Sequence, residues 1–183
     1  MDKERLEIRG EQMKPIILTG FMGCGKSTIG QLLAKRMNRN FEDMDAVIEQ
    51  KAGMSISRIF ELEGEEGFRK REESVLAELL ADSSLVLATG GGAVLKKENR
   101  ELFLQKGIVV FLKAEPKTIY QRVSTNDQRP LAKGKNLEEL TALYESRMPY
   151  YEECHICFET RDDSPFQCVE TLQELLKEKD NGN

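Results

Sequence analysis

Lys26 and Ser27 are the residues whose types and spacing specify chemistry most directly. They close the run Gly20-Phe21-Met22-Gly23-Cys24-Gly25-Lys26-Ser27, with Thr28 behind it. The pattern G-x-x-x-x-G-K-S is a phosphate-binding loop. Glycines at Gly20, Gly23 and Gly25 let the backbone take positive φ and turn its N–H groups inward. Those groups, with the N-terminal end of a following helix, wrap a polyphosphate. Lys26 can reach the β- and γ-phosphates, and the Ser27 hydroxyl can join a Mg²⁺ shell.

A second candidate is the pair Asp43 and Asp45 in Asn40-Phe41-Glu42-Asp43-Met44-Asp45. On an extended segment, residues two apart share a side of the chain. Both carboxylates would then face a site beyond the strand's C-terminal end, where open parallel sheets bind ligands. The alternative is an aspartate helix cap, because Ala46 to Glu49 begins a helical pattern; capping and chemistry are compatible. A third candidate is Gly90-Gly91-Gly92 after the apolar run Ser84–Ala88, where bare backbone can approach another molecule. A plain flexible loop is the bland alternative. The block Phe68-Arg69-Lys70-Arg71-Glu72-Glu73 reads by default as a solvated helix face, and charge pattern alone does not single out Arg69.

The elements that must position these residues follow from apolar spacing. Pro15–Thr19 reads as a buried strand, and Ile29, Leu32, Leu33 and Met37 give a helix after the loop. Ala52-Gly53-Met54-Ser55 breaks the next helix, and Ile56, Ile59 and Phe60 resume the period. Ile108–Leu112 and His155–Glu159 are further strands, separated by helices opening at Pro116 and Leu137; Pro165 opens a last helix. Strands alternating with helices indicate βαβ units and a parallel sheet. The polar stretch Ser124–Asn136, with Arg129-Pro130 and Gly134, is a surface loop of the length common in lids.

The chain has 183 residues and a net charge of −5, which suits one globular domain and argues against a nucleic-acid binder. There is no long apolar run to span a membrane and no secretory signal, so a cytoplasmic location is expected. Residues 1–14 balance four basic against four acidic residues and read as an extension (1–13) ahead of a single domain (14–183). Of the cysteines Cys24, Cys154, Cys157 and Cys168, the middle two flank His155, the one histidine. A zinc site would need further ligands at suitable spacing, so structural thiols in a reducing compartment are expected.

Taken together, the loop Gly20–Ser27, Asp43-x-Asp45, Gly64-Glu65 with Phe68-Arg69, Gly90-Gly91-Gly92, Arg129-Pro130-Leu131 and Arg147-x-Pro149-x-Tyr151 resemble the shikimate kinase family in order and approximate spacing. The likeness runs from about Pro15 to the end of the chain. It implies an α/β fold of the P-loop nucleoside-monophosphate-kinase type. That is a three-layer architecture with a five-stranded parallel sheet in order 2-3-1-4-5 between helices, a substrate-binding region over about 43–72 and a lid over about 124–136. It implies ATP-dependent phosphorylation of the shikimate 3-hydroxyl, on the way to chorismate and the aromatic amino acids. By position, Asp45 would bind the substrate hydroxyls, Arg69 and Arg147 its carboxylate, and Gly91 would add backbone contacts. Lys26, Asp45 and Arg129 would be catalytic. Gly23, Cys24, Gly25, Lys26, Ser27, Thr28, Arg122 and Arg129 would hold ATP, with Arg122 near the adenine. Ser27 and Asp43 would hold Mg²⁺, Asp43 through water. A monomer acting on small molecules, without nucleic acid or membrane, is expected.

Two features depart from the usual pattern. The strand Leu85–Ala88 does not end in the aspartate that many phosphate-loop proteins use for Mg²⁺, which leaves metal binding to Asp43. Cys24 stands where the family often has a small hydroxyl residue; beside Lys26 it would be either a reactive thiol or an inert packed one. A kinase of the same fold acting on another hydroxy acid, such as gluconate, is the alternative, because two arginines suit any carboxylate. A non-catalytic nucleotide-binding module is disfavoured by the full set of charged residues.

Overall fold

A computed structural model of the chain describes residues 13–124, 136–161 and 163–181. The expected lid, apart from its two end residues, and Arg129 lie outside the described residues, as does the expected extension except for Met13. Five strands, β1 (Ile16–Thr19), β2 (Asn40–Asp43), β3 (Leu85–Ala88), β4 (Ile108–Lys113) and β5 (Ile156–Glu159), form one sheet in the order β2-β3-β1-β4-β5. Every neighbouring pair is parallel, with Ile16 opposite both Val86 and Ile108. Burial follows position in the sheet: β1 and β3 are buried at every residue, as a strand covered on both faces must be. The edge strands β2 and β5 carry mostly exposed or half-buried residues.

The intervening helices are α1 (Lys26–Met37), α2 (Met44–Ala52), α3 (Ile56–Leu79), α4 (Lys97–Lys106), α5 (Pro116–Ser124), α6 (Leu137–Tyr151) and α7 (Pro165–Asn181). Their ends are written locally. The Ser55 hydroxyl accepts from the Arg58 N–H at the start of α3, and Asn136 forms a reciprocal capping box with Glu139 at the start of α6. Inside α3, Gly64 takes φ 67° and ψ −172°, so the helix is kinked there, and a side chain would be strained in that backbone. Arg71 reaches back across the kink to Glu63 with two hydrogen bonds of 2.8 and 2.7 Å.

Arg36 of α1 donates to Gln173 and Glu170 of α7, tying the first helix to the last. The N-terminal edge of the sheet is fastened by His155. Its backbone N–H donates to the Val109 carbonyl at 2.9 Å, and its Nδ1 accepts from the Val109 N–H at 3.0 Å. Nδ1 is therefore unprotonated, and burial together with Lys179 and Lys14 holds the imidazole pKa below its ordinary value. Among the described residues, no helix is long and apolar enough to cross a membrane.

Candidate active site

The phosphate loop sits between β1 and α1, as its sequence requires. Gly20, Gly23 and Gly25 all have positive φ, at 144°, 75° and 100°. Gly20 is further constrained by space, since a Cβ there would stand 2.6 Å from the Leu112 carbonyl oxygen. Gly25 caps α1 in the left-handed region, which turns the helix N-terminus onto the loop. Lys26 is 9% exposed, and its ammonium donates to the carbonyls of Gly20 (2.7 Å) and Phe21 (3.0 Å). These bonds hold the cation in the mouth of the loop, where an anionic ligand would exchange them for stronger ones. Cys24 Sγ is 3.8 Å from this ammonium but only 1% exposed, so the neighbour that would activate the thiol is present and access to it is not. Thr28 is exposed on the first turn of α1, and Arg122 donates from α5 to the Gly23 carbonyl at 3.2 Å.

The two aspartates do not share an extended segment. β2 ends at Asp43, whose Oδ1 caps α2 by accepting from the N–H groups of Asp45 and Ala46; Asp45 lies in the first helical turn. Capping wins because a helix start leaves N–H groups without partners, and an aspartate at that position supplies an acceptor. The other Asp43 oxygen, Oδ2, accepts from the Ser27 hydroxyl, so a hydroxyl and a carboxylate oxygen meet beside the phosphate loop. Two hard oxygen donors of this kind fit Mg²⁺, which takes one or two protein oxygens and completes its shell with phosphates and water.

Asp45 points instead at the glycine run. A Cβ at Gly90 would stand 2.7 Å from Asp45 Oδ1 and 3.6 Å from Glu72 Oε1, and one at Gly92 would stand 2.9 Å from an Arg69 nitrogen. The glycines are therefore required by close approach: Asp45, Glu72 and Arg69 converge on bare backbone. Gly91 lies against the phosphate loop, with its Cβ position 3.4 Å from the Met22 nitrogen. The run is also held firmly, contrary to the flexible-loop alternative, because the Tyr151 hydroxyl donates to the Gly91 carbonyl at 2.6 Å.

Arg69 is not on a solvated face. It pairs with Glu72 at 2.8 Å, more loosely with Glu65 at 3.6 Å, and lies over the Phe68 ring. Glu72 is 1% exposed, so burial raises its carboxyl pKa while Arg69 and Lys96 pull it down; Oε1 has no hydrogen-bond partner among the described residues. Sequence reading missed Glu72 because its charge sat inside a mixed run; the signal was its helical spacing, three residues from Arg69. Tyr151 stands in the motif Arg147-x-Pro149-x-Tyr151, but nothing in that spacing points to its bond with the Gly91 carbonyl.

Arg147 completes the constellation from α6. It is 8% exposed, its guanidinium lies 5.6 Å from the Phe21 ring of the phosphate loop, and its Nη1 is buried without a hydrogen-bond partner among the described residues. A buried cationic donor left open in this way is costly alone and is suited to an anionic ligand. Two tyrosines beside it are shielded from ionisation: burial pushes Tyr144 up to about 12 and raises Tyr151 further. The structure thus links Lys26, Ser27, Asp43, Asp45, Arg69, Gly91 and Arg147 to the phosphate loop and the glycine run that follow β1 and β3. Arg129 lies outside the described residues.

The fold and sequence have close counterparts. A solved structure of a shikimate kinase from Acinetobacter baumannii in complex with shikimate matches with a TM-score of 0.87 and 41% identity, over 92% of this chain and 96% of that one. A shikimate kinase from Aquifex aeolicus matches with a TM-score of 0.82 and 33% identity, over 92% and 99%. A gluconokinase from Sinorhizobium meliloti, at 13% identity and a TM-score of 0.52, shares the fold alone. The shikimate kinase of Nitrosococcus oceani is 47% identical over 167 residues, 90% of this chain and 88% of that protein. The family model described as shikimate kinase matches residues 22–177, which takes in most of the phosphate loop, both aspartates, the glycine run and both arginines. With a family model over most of the chain, a relative at 47% identity and a sheet order that matches the solved structures, the chain belongs to the shikimate kinase family.

Proposed function

We propose that the chain transfers the γ-phosphoryl group of ATP to the 3-hydroxyl of shikimate, giving shikimate 3-phosphate and ADP in the route to chorismate. Family membership supports the activity, and the observation that carries the assignment to an acid substrate is the buried Nη1 of Arg147 beside the phosphate loop, which has no hydrogen-bond partner among the described residues. Arg69 and Arg147 bind the carboxylate through paired charge-assisted hydrogen bonds. Asp45 orients the attacking hydroxyl and accepts its proton as the bond to phosphorus forms. The phosphate-loop amides, Lys26 and, from the lid, Arg129 balance charge on the transferring group; phosphoryl transfer depends chiefly on such positioning and neutralisation. Ser27 and Asp43 are the residues that would hold Mg²⁺, which supplies charge neutralisation at the phosphates. We further propose a single catalytic domain preceded by a short extension, acting in the cytoplasm as a monomer on small molecules only.

The test is ADP formation by the purified protein with shikimate, gluconate and nucleoside monophosphates in parallel. Turnover confined to shikimate is expected. Turnover with gluconate and none with shikimate would overturn the assignment in favour of the related hydroxy-acid kinase. ATP binding without transfer to any acceptor would replace it with a nucleotide-dependent binding module.

A further inference from the structure

The segment Gly90–Leu95 joins the bare backbone at the site to a single 3-10 turn, Ala93–Leu95, and each of its six carbonyls has a donor. Gly90 and Gly92 accept from the N–H groups of Ala93 and Leu95, both at 3.1 Å. The other four are taken by side chains. Tyr151 of α6 donates to Gly91, Asn99 of α4 donates to Ala93 at 3.0 Å, and Arg100 of α4 donates from Nη1 to Val94 at 2.9 Å and Leu95 at 3.3 Å. A run of three glycines has little conformational preference of its own, so its shape is imposed by these donors.

Arg100 does more than fill two carbonyls. Its Nε, buried without a hydrogen-bond partner among the described residues, lies 3.0 Å from a Glu153 carboxylate oxygen as an ion pair just past the end of α6, and its guanidinium sits 4.8 Å from the Tyr150 ring in the last turn of that helix. Its side chain is 10% exposed. The same helix carries Arg147 one turn earlier. One guanidinium therefore spans the gap between the glycine segment and the helix that offers a cation to the acid.

We propose that Arg100 is a positioning residue for the acceptor site: it sets the placement of the Gly90–Gly92 backbone relative to Arg147, and with it the affinity for the acid substrate. This rests on the reading of Arg147 and Gly91 as acid-binding given above. The arrangement makes a specific division. Among the described residues, the hydrogen bonds, ion pair and ring contact of the Arg100 side chain go to Val94, Leu95, Glu153 and Tyr150 and none to the phosphate loop, so its loss weakens acceptor binding and spares ATP.

Arg100→Met keeps the length and removes every donor. A misplacement of about an ångström at a reacting site costs up to about 100-fold, so a shikimate KM raised about tenfold is expected, with the KM for ATP changed by less than about twofold. Arg100→Lys, which cannot reach both sides with one ammonium, is expected to fall between Arg100→Met and the parent protein. Hydrogen exchange gives a readout independent of the substrate: the Ala93 and Leu95 amides should exchange at least about tenfold faster in Arg100→Met, with the β1 amides unchanged. Should Arg100→Met fail to fold, Glu153→Gln, at a half-exposed position, is expected to raise the shikimate KM about threefold with the same sparing of ATP. Unchanged exchange at Ala93 and Leu95, or a shikimate KM that stays put in the folded variants, overturns the proposal; so does a uniform loss of both KM values and of all amide protection. Absence of shikimate turnover in the parent protein would sink the functional assignment instead, and the exchange comparison would still decide whether Arg100 fixes the glycine segment.

Discussion

Replacing Arg69 by alanine should destabilise the protein in a pH-dependent way as well as weaken acid binding. Glu72 is 1% exposed, and Arg69 is its closest cation, at 2.8 Å. Removing one partner of a fully buried pair costs about 3–5 kcal/mol. Arg69's side chain is 24% exposed and Lys96 also acts on Glu72, so a cost of about 2 kcal/mol is the better expectation here. For a chain of this size that is a fall in Tm of about 4–8 °C.

The sign with pH follows from the carboxyl. Burial already raises the Glu72 pKa above its ordinary value, and loss of Arg69 removes the strongest opposing influence, so it rises further. A carboxyl whose folded pKa is raised binds its proton more tightly in the folded state. The penalty is therefore absent below the ordinary glutamate pKa and grows as pH rises through the folded value. Thermal unfolding of the parent protein and Arg69→Ala should show a Tm gap that is widest at pH 8 and narrows toward pH 5. Arg69→Ala/Glu72→Gln should recover most of the loss at pH 8, because no charge is left buried. A gap of constant size across that range, or no recovery in the double variant, would refute the account of Glu72 as a carboxylate kept charged by Arg69. The loss of a charge-assisted contact should also raise the shikimate KM of Arg69→Ala by roughly 10- to 100-fold.

Three further outcomes are expected. Lys26→Ala should lower kcat by about 10³-fold, the scale for losing one preorganised charge-stabilising donor, with a stability change of only about 1 kcal/mol from the two carbonyls it leaves; near-normal steady-state turnover would remove its role. Asp45→Asn should lower kcat by about 10²–10⁴-fold while shikimate still binds by calorimetry, and ordinary kinetics in that variant would leave no place for Asp45 as proton acceptor. His155, the one histidine, should give a single imidazole NMR signal titrating below the ordinary value, because burial, with Lys179 and Lys14 nearby, disfavours its charged form. Its contribution to stability is full above the ordinary imidazole pKa and is lost as pH falls through the lower folded value. In His155→Ala that part of the acid dependence should vanish without a change in KM for either substrate.

The sequence by itself determined what depends on neighbours along the chain. Gly20–Ser27 specifies a phosphate loop because the positive φ angles, the lysine and the hydroxyl all lie within one turn of backbone, and the strand–helix alternation specifies a parallel sheet by period alone. The motif order was enough to name the family. Even locally the reading could err: spacing placed Asp43 and Asp45 on one extended segment, whereas the helix that starts at Met44 takes Asp43 as its cap and turns Asp45 toward Gly90. Everything that fixes charge and shape in the acceptor site was decided only by tertiary structure. Arg69 and Glu72 read as a solvated charge run until folding buries the glutamate against bare glycine backbone. Arg100 and Tyr151, distant in sequence from one another, meet the same six-residue segment. Burial and hydrogen-bond partnership are properties of surfaces brought together by the sheet order. No spacing within a single element encodes which carbonyl a side chain from another helix will find.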